Sequence, residues 1–268
     1  MAEYTTERIL AIRHWSPRLF SLTTTRSPGF RFESGQFVMI GLMDGERRIV
    51  RAYSLASAAH EEALEFYSIR VADGPLTSRL ARAEPGAPLL VGGKPTGTLV
   101  LRDLRPGRRL FLVATGTGVA PFAGLLRDPE VYERFAQVIL VRGGRTNPDL
   151  AYGDATLAAL LAHPDLGPLA SAQLTDYPSL TREPHAHPGR VTARLATDAV
   201  TRDLGLPALD PGADRVMVCG SLAMVADTAA ILAARGFAPS PGIGEPGDFV
   251  VERAFVDARA ALPRTAAA

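Results

Sequence analysis

Cysteine and lysine are almost missing from this 268-residue chain, and both shortages narrow what it can be. With Cys219 as the sole cysteine there is no internal disulfide, no four-cysteine zinc site and no iron–sulfur cluster held by this chain alone. Lys94 is the single lysine among 29 Lys and Arg residues, so nearly every cation is an arginine. These are balanced by 28 acids, and a net charge of +1 gives no electrostatic case for nucleic acid or an anionic membrane as partner. No apolar run reaches transmembrane length, and the first fifteen residues carry acids and lack a continuous apolar stretch. A reducing, cytoplasmic location is therefore expected. No metal site is expected, nor is there a repeat or a low-complexity segment longer than the Ala-rich tail. The remainder is 47% apolar and 21% charged, a globular composition with room for about two domains.

The chain divides by pattern. Up to about residue 104, β-branched and aromatic residues alternate with polar ones in short runs: Arg8 to His14, Leu19 to Thr25, Gln36 to Leu42, Arg48 to Ala56, Leu64 to Val71, Leu89 to Val91 and Thr98 to Leu101. Turns such as Ser27-Pro28-Gly29 and Asp44-Gly45 separate them at the spacing of a small antiparallel barrel, with one helix over Leu76 to Ala83. Asp103 to Gly107 reads as a linker. From residue 105, apolar strand candidates at Leu110 to Ala114, Val138 to Val141, Ala170 to Leu174 and Val216 to Cys219 alternate with helical stretches. Those stretches are Pro121 to Leu126, Thr156 to Ala162, Val191 to Thr197 and Leu222 to Ala234. That alternation predicts a parallel sheet covered by helices. The last helix has Ser221 as N-cap, a stripe of Leu222, Val225, Ala229 and Leu232, and Gly236 as a left-handed stop.

Ligands gather at the carboxyl ends of parallel strands, where this half carries conspicuous loops. Thr115-Gly116-Thr117-Gly118 follows a buried strand and leads into Pro121, a residue suited to a first helical turn. Pro121 stands where the third glycine of the dinucleotide fingerprint belongs, so the loop by itself leaves a nucleotide site and an ordinary turn equally open. Cys219-Gly220-Ser221 ends another strand and is expected to face the same cleft, although a small buried hydrophobe is the plainer reading of the cysteine alone. Val141-Arg142-Gly143-Gly144-Arg145 lies where such folds read the adenosine ribose, with arginines in place of the acid that selects NAD. Arg182 and Arg190, in a loop rich in Pro and His, are candidates to join them, and together these arginines favour NADP(H). In the β half, period two puts Arg51 and Tyr53 on one face, a guanidinium for phosphate beside a ring that can stack on a planar ligand; a surface arginine beside a cross-strand aromatic pair is the bland alternative. The helix opening at Leu76-Thr77-Ser78 offers a second anion site.

Arg51-Ala52-Tyr53-Ser54, Gly74-Pro75-Leu76-Thr77-Ser78-Arg79-Leu80, Ala114 to Gly118, Val218-Cys219-Gly220-Ser221 and Val251 to Val256 occur in one order. Each is weak alone, but the ordered set, spanning about Glu7 to Asp257, resembles the bacterial ferredoxin/flavodoxin–NADP reductases. The resemblance implies an FAD-binding antiparallel Greek-key β-barrel over 1–104 and an NADP-binding α/β domain over 105–268, with a C-terminal extension at 258–268. It implies that Tyr53 stacks on the flavin, Arg51 holds the pyrophosphate, Ala52 and Ser54 adjoin the flavin, and Leu76, Thr77 and Ser78 bind phosphate. Tyr67, Ser68 and Ile69 would line the flavin. Ala254 would take the place of the aromatic residue that plant-type relatives close against the flavin, and Phe255 would stack on the adenine. Thr115, Gly116, Thr117, Gly220, Ser221 and Met224 would border the nicotinamide dinucleotide, and Arg145, Arg182 and Arg190 would grip its 2′-phosphate. Ser54, Cys219 and Glu252 match positions associated with hydride transfer. A monomeric enzyme is implied, with a ferredoxin or flavodoxin as protein partner. Alternatives are a reductase subunit serving an oxygenase or other iron–sulfur partner, and a flavin-binding regulatory subunit without turnover.

Overall fold

The computed structural model describes residues 3–253; Ala254, Phe255 and the 258–268 extension lie outside the described residues. The first half is built from β1 (Tyr4–His14), β2 (Leu19–Thr24), β3 (Phe37–Asp44), β4 (Arg47–Ser54), β5 (Leu64–Ile69), the single-turn helix α1 (Thr77–Leu80) and β6 (Pro88–Gly92). These strands pair antiparallel in the order β4-β3-β6-β1-β2-β5. Side chains of the two end strands meet: Tyr53 of β4 lies edge-on to Phe66 of β5, centroids 6.3 Å apart, and its hydroxyl is 2.9 Å from that of Ser68. The sheet therefore curls into a barrel around Phe20, Leu22, Val38, Ile40, Phe66 and Leu89. Phe66 and Ser68, two positions apart on one face of β5, are the residues that reach Tyr53 and close the sheet.

The second half comprises β7 (Arg109–Thr115), α2 (Ala120–Leu126), α3 (Pro129–Arg134), β8 (Gln137–Gly144), α4 (Ala151–Leu161), α5 (Leu166–Gln173) and β9 (Leu174–Leu180). It continues through α6 (Val191–Ala196), α7 (Ala199–Asp203), β10 (Asp214–Gly220), α8 (Leu222–Ala234) and β11 (Phe249–Arg253). The five strands are parallel in the order β11-β10-β7-β8-β9. Central β7 and β10 are buried on both faces, which is why they read as continuous apolar runs. Arg109 and Asp214, at the amino ends of those two strands, form a bidentate pair at 2.5 and 2.6 Å that satisfies both charges inside the fold.

Four sequence expectations are corrected here. Of the strand expected at Ala170–Leu174, all but Leu174 is the end of α5, and the strand itself is β9, which begins at Leu174 and whose polar residues and Pro178 hide it; Pro is tolerated because β9 is an edge. Thr98–Leu101 is not a strand: Leu99, Val100 and Leu101 are buried, and the last opens a 3₁₀ turn over Leu101–Asp103. The helix expected over Leu76–Ala83 is one turn long, and Leu222 of the expected stripe is exposed while Met224, Val225, Thr228 and Leu232 are buried.

The linker is likewise a packed joint. Asp103 is fully buried, accepting the Gly244 N–H at its side chain and the Gly247 N–H at its carbonyl. One apolar cluster draws on both halves, joining Leu19, Tyr67 and Leu99 to Leu112, Phe122 and Tyr152. Within it Tyr67 and Tyr152 stack at 4.0 Å with planes 11° apart, and Trp15 meets Tyr152 edge-on at 5.4 Å. Arg127 crosses the same boundary to Glu65 and the Ala56 carbonyl. Among the described residues no helix is long and apolar enough to cross a membrane.

Candidate active site

The barrel contributes a face centred on Tyr53. Its ring is packed against Phe66 and its phenol is raised above the usual value by burial, opposed by the Ser68 hydrogen bond and by the nearby Arg51 guanidinium. Arg51 itself is exposed, with one guanidinium nitrogen donating only to the adjacent Val50 carbonyl, so it can turn to an incoming anion. Thr77 and Ser78 are half-buried at the start of α1, and the Thr77 hydroxyl accepts the Val71 N–H at 3.1 Å. The Leu76 side chain is buried in the barrel core, so only its backbone could serve the expected anion site. Tyr67 is buried as well. Period two turns it away from Ser68 and onto Tyr152, so its ring belongs to the joint between the halves.

The second half contributes the strand ends. Gly116 has φ 54°, and the Gly116–Val119 3₁₀ turn carries the chain into α2 with Pro121 in its first turn. A Cβ on Gly118 would lie 2.2 Å from the Cys219 carbonyl oxygen, and one on Gly220 would lie 2.3 Å from Met224 Cε and 2.4 Å from Thr115 Oγ1. The two loops therefore touch, and glycine is what lets them. Ser221 caps α8 by accepting the Met224 N–H, as expected.

Between these two surfaces lies Glu252. Register sets it beside Cys219 on the neighbouring strand, and its Oε2 would stand 3.0 Å from a Cβ built on Gly97. Gly97 also lies against Phe37, whose cross-strand partner is Ser54. Chain topology thus brings Glu252 and Cys219 together, and Gly97 joins them to the barrel strand that pairs with Ser54. Burial pushes the Glu252 carboxyl up to about 8 against a hydrogen bond from the Thr98 backbone, and its Oε2 has no partner among the described residues. Cys219 is wholly buried, and burial together with Glu252 keeps it a neutral thiol. Gly97 and Thr98, which sequence reasoning passed over, hold the carboxyl in place; a glycine followed by a hydroxyl residue is too common a pair to have marked them.

A third feature is an open cleft of about 530 Å³ lined by Arg145, Thr181, Arg182, Gly189 and Arg190. All three arginines are exposed, and among the described residues none is in a salt bridge. Arg142, three positions earlier, does not join them. It is buried, paired bidentately with Asp176 at 2.7 and 2.6 Å and with Asp154, and donates to the Leu150 carbonyl. Four of its five N–H donors are taken up and two carboxylates balance its charge, so it is committed to the fold and not to a phosphate. Asp149, also unmarked in the sequence, accepts the Arg145 and Thr146 N–H groups and shapes that end of the cleft.

Residues 112–230 match the oxidoreductase NAD-binding domain family. The chain is 53% identical over 252 residues to ferredoxin–NADP reductase A of Sorangium cellulosum, covering 94% of this chain and 90% of that one. This chain belongs to the ferredoxin–NADP reductase family. A flavodoxin/ferredoxin–NADP reductase of Rhodobacter capsulatus is 48% identical, over 93% of each chain. Among solved structures, a ferredoxin–NADP reductase from Neisseria gonorrhoeae with bound FAD and NADP superposes with a TM-score of 0.85 at 31% identity, covering 95% of this chain and all of that one. Within a ferredoxin–NADP reductase, two polar atoms buried without partners, Glu252 Oε2 and Thr115 Oγ1, fit a site that a bound group completes. The glycine cradle at Gly118 and Gly220 fits the same reading, since it leaves no room for side chains where the loops converge.

Proposed function

We propose that this chain exchanges electrons between NADP(H) and a ferredoxin through FAD, with FAD held by the barrel half and NADP(H) by the α/β half. The observation that carries the reading is the placing of the Glu252 carboxyl, beside Cys219 of the α/β half, against Gly97 of the barrel half, in a chain about half identical to ferredoxin–NADP reductases over nearly its full length. When bound, FAD supplies the conversion between a two-electron exchange with nicotinamide and one-electron exchange with a protein partner. The protein's part is orientation and electrostatics. Tyr53 offers its ring to the flavin, held by Phe66 and Ser68; Arg51, Thr77 and Ser78 hold the pyrophosphate; and Ser68 and Ile69 border the flavin, with Tyr67 contributing backbone only.

Cys219, Thr117 and Met224 border the nicotinamide, and the Thr115–Gly118 and Gly220–Ser221 loops shape its entry. Glu252 holds a proton at neutral pH, so its carboxyl offers a hydrogen-bond donor without placing a negative charge beside the reacting rings. Arg145, Arg182 and Arg190 bind the adenosine 2′-phosphate. The division into a barrel unit ending at 104 and a nucleotide unit from 105, a monomeric state, a cytoplasmic location and flavodoxin as a second partner belong to the same proposal. The relative named for both flavodoxin and ferredoxin supports the last of these.

The test is anaerobic titration of the purified holoenzyme with NADPH, then with oxidised ferredoxin and flavodoxin, with the released flavin identified by chromatography. Bleaching by NADPH and reoxidation by either protein carrier is the expected result. Recovery of FMN alone, or a flavin that NADPH does not reduce, overturns the reading.

A further inference from the structure

Arg182 and Arg190 stand at the two ends of one loop, residues 181–190, between β9 and α6. Arg182 begins it with its N–H on the Arg145 carbonyl at 2.9 Å, and Arg190 ends it as the residue preceding α6. Between them the chain folds back on its own strand. The Leu180 N–H donates to the His187 carbonyl at 3.3 Å, the Gly189 N–H to the Leu180 carbonyl at 2.8 Å, and the Ser179 hydroxyl to the Gly189 carbonyl at 2.5 Å. Gly189 has φ 105°, which only glycine adopts without strain.

Two side chains of the loop tie it to the rest of the fold: Glu183, in its first half, accepts from the Asn147 N–H at 2.8 Å and from Asn147 Nδ2 at 2.6 Å, and His187 anchors the second half. The His187 ring stacks on Tyr177 of β9, centroids 4.0 Å apart and planes 20° apart, and its Nδ1 is 3.4 Å from Asp203 of α7. Tyr177 is wholly buried and held independently of the loop: its hydroxyl donates to Asp203 at 2.6 Å and accepts from Arg194 Nε at 2.6 Å. Arg194 also pairs with Asp203 and donates to the Pro188 carbonyl at 2.9 Å. Tyr177, Arg194 and Asp203 thus form a platform that persists whatever occupies position 187. His185, the other titratable group near this ring, lies 6.0 Å away and accepts the His187 N–H.

We propose that His187 is a positioning residue for recognition of the 2′-phosphate: by stacking on Tyr177 it fastens the second half of the 181–190 loop so that Arg190 faces Arg145 and Arg182 before the ligand arrives. The inference rests on the reading of the arginine cleft as the 2′-phosphate site. Arg182 is held near Arg145 by its own N–H and by the Glu183 contacts, so loss of the His187 ring loosens chiefly the half of the loop that leads to Arg190, and each binding event then has to order that half.

The experiment uses the FAD-loaded full chain and calorimetric titration with 2′-AMP, with 5′-AMP as the control ligand and Arg182→Ala as the control variant. His187→Ala is expected to weaken 2′-AMP by up to about tenfold, toward the upper end of what a lost aromatic stack costs, and to raise the KM for NADPH by a similar factor at unchanged kcat. The KM for NADH stays as in the wild type. His187→Gln, which also removes the stack, gives the same loss should the alanine variant fold poorly. His187→Phe keeps the ring and restores 2′-AMP binding to within about twofold of wild type. Wild-type 2′-AMP affinity in His187→Ala, beside a loss in Arg182→Ala, overturns the role of His187 and leaves the cleft reading intact. A parallel rise in KM for NADH, or a phenylalanine variant as weak as the alanine one, also overturns it. A wild-type protein that does not distinguish 2′-AMP from 5′-AMP removes the cleft reading and this inference together.

Discussion

The seam around Glu252 and the cleft around Arg182 both leave polar groups without protein partners, but in opposite surroundings. At the seam the groups are dry: Glu252 is mostly buried with one oxygen unpartnered, its carboxyl pushed up to about 8, and Cys219 beside it is fully enclosed. In the cleft they are wet, with three exposed guanidiniums around an open volume. Removing water from a charge is costly, so a dry group gives up its charge and becomes a neutral donor, whereas a wet group keeps its charge for a ligand. The first region should therefore answer to pH and to small displacements, and the second to phosphate and to salt.

The strongest break in this comparison is expected from the wet side. Replacing Arg182 and Arg190 together by alanine should raise the KM for NADPH by roughly a hundredfold or more, since each charge-assisted contact contributes about 1.5 to 3 kcal/mol. The KM for NADH should hardly move. Steady-state kinetics with a dye acceptor measures both, and equal losses would show that the arginines support the fold instead.

On the dry side, Cys219→Ala should slow flavin reduction about tenfold to a hundredfold while FAD stays bound, because a misplaced nicotinamide loses alignment. Stopped-flow absorbance at limiting NADPH decides it, and an unchanged rate would leave Cys219 as a packing residue.

The pH dependence of Glu252 follows from its sign. A folded value near 8, above the unfolded carboxylate value, means that folding takes up a proton between the two. Stability is therefore highest below the unfolded value, falls as pH rises toward about 8, and levels off beyond it. Glu252→Gln should flatten that slope in urea titrations across the window, while the slope surviving unchanged would mean the carboxyl is ionised throughout. Salt gives a smaller effect with the opposite address: raising ionic strength from about 0.05 to 0.5 M should weaken NADPH several-fold and leave NADH and the Glu252 slope nearly unaltered. Smallest of all, Tyr53→Phe should cost about 1 kcal/mol of stability by removing the Ser68 hydrogen bond, with FAD retained because the ring remains. Loss of FAD in that variant would give the hydroxyl a direct part in binding.

Much of this architecture could be read from the chain because its signals are local. Strands β7 and β10 are continuous apolar runs, Ser221 and Gly236 bracket α8, and Pro121 sits in the first turn of α2. Strand β9 escaped for the converse reason: at an edge it needs neither a continuous apolar run nor every N–H, so Asp176 and Pro178 are tolerated. Thr98–Leu101 deceived because its apolar side chains are buried by packing between the halves and not by strand pairing.

The sequence by itself determined the two halves, their order, and the loops that end the parallel strands, since hydrophobic period and turn chemistry act between residues a few positions apart. Only the tertiary structure decided what individual side chains do. Arg142 and Arg145 are alike in the sequence, yet Asp154 and Asp176 neutralise the first and leave the second exposed in the cleft. Tyr67 and Ser68 adjoin, yet one stacks in the joint on Tyr152 while the other holds Tyr53. Glu252 becomes a carboxylic acid near neutral pH because burial beside Gly97 and Cys219, from remote stretches, outweighs the Thr98 backbone hydrogen bond that opposes it. Burial and electrostatic pairing depend on neighbours in space, and chain order does not encode those neighbours residue by residue.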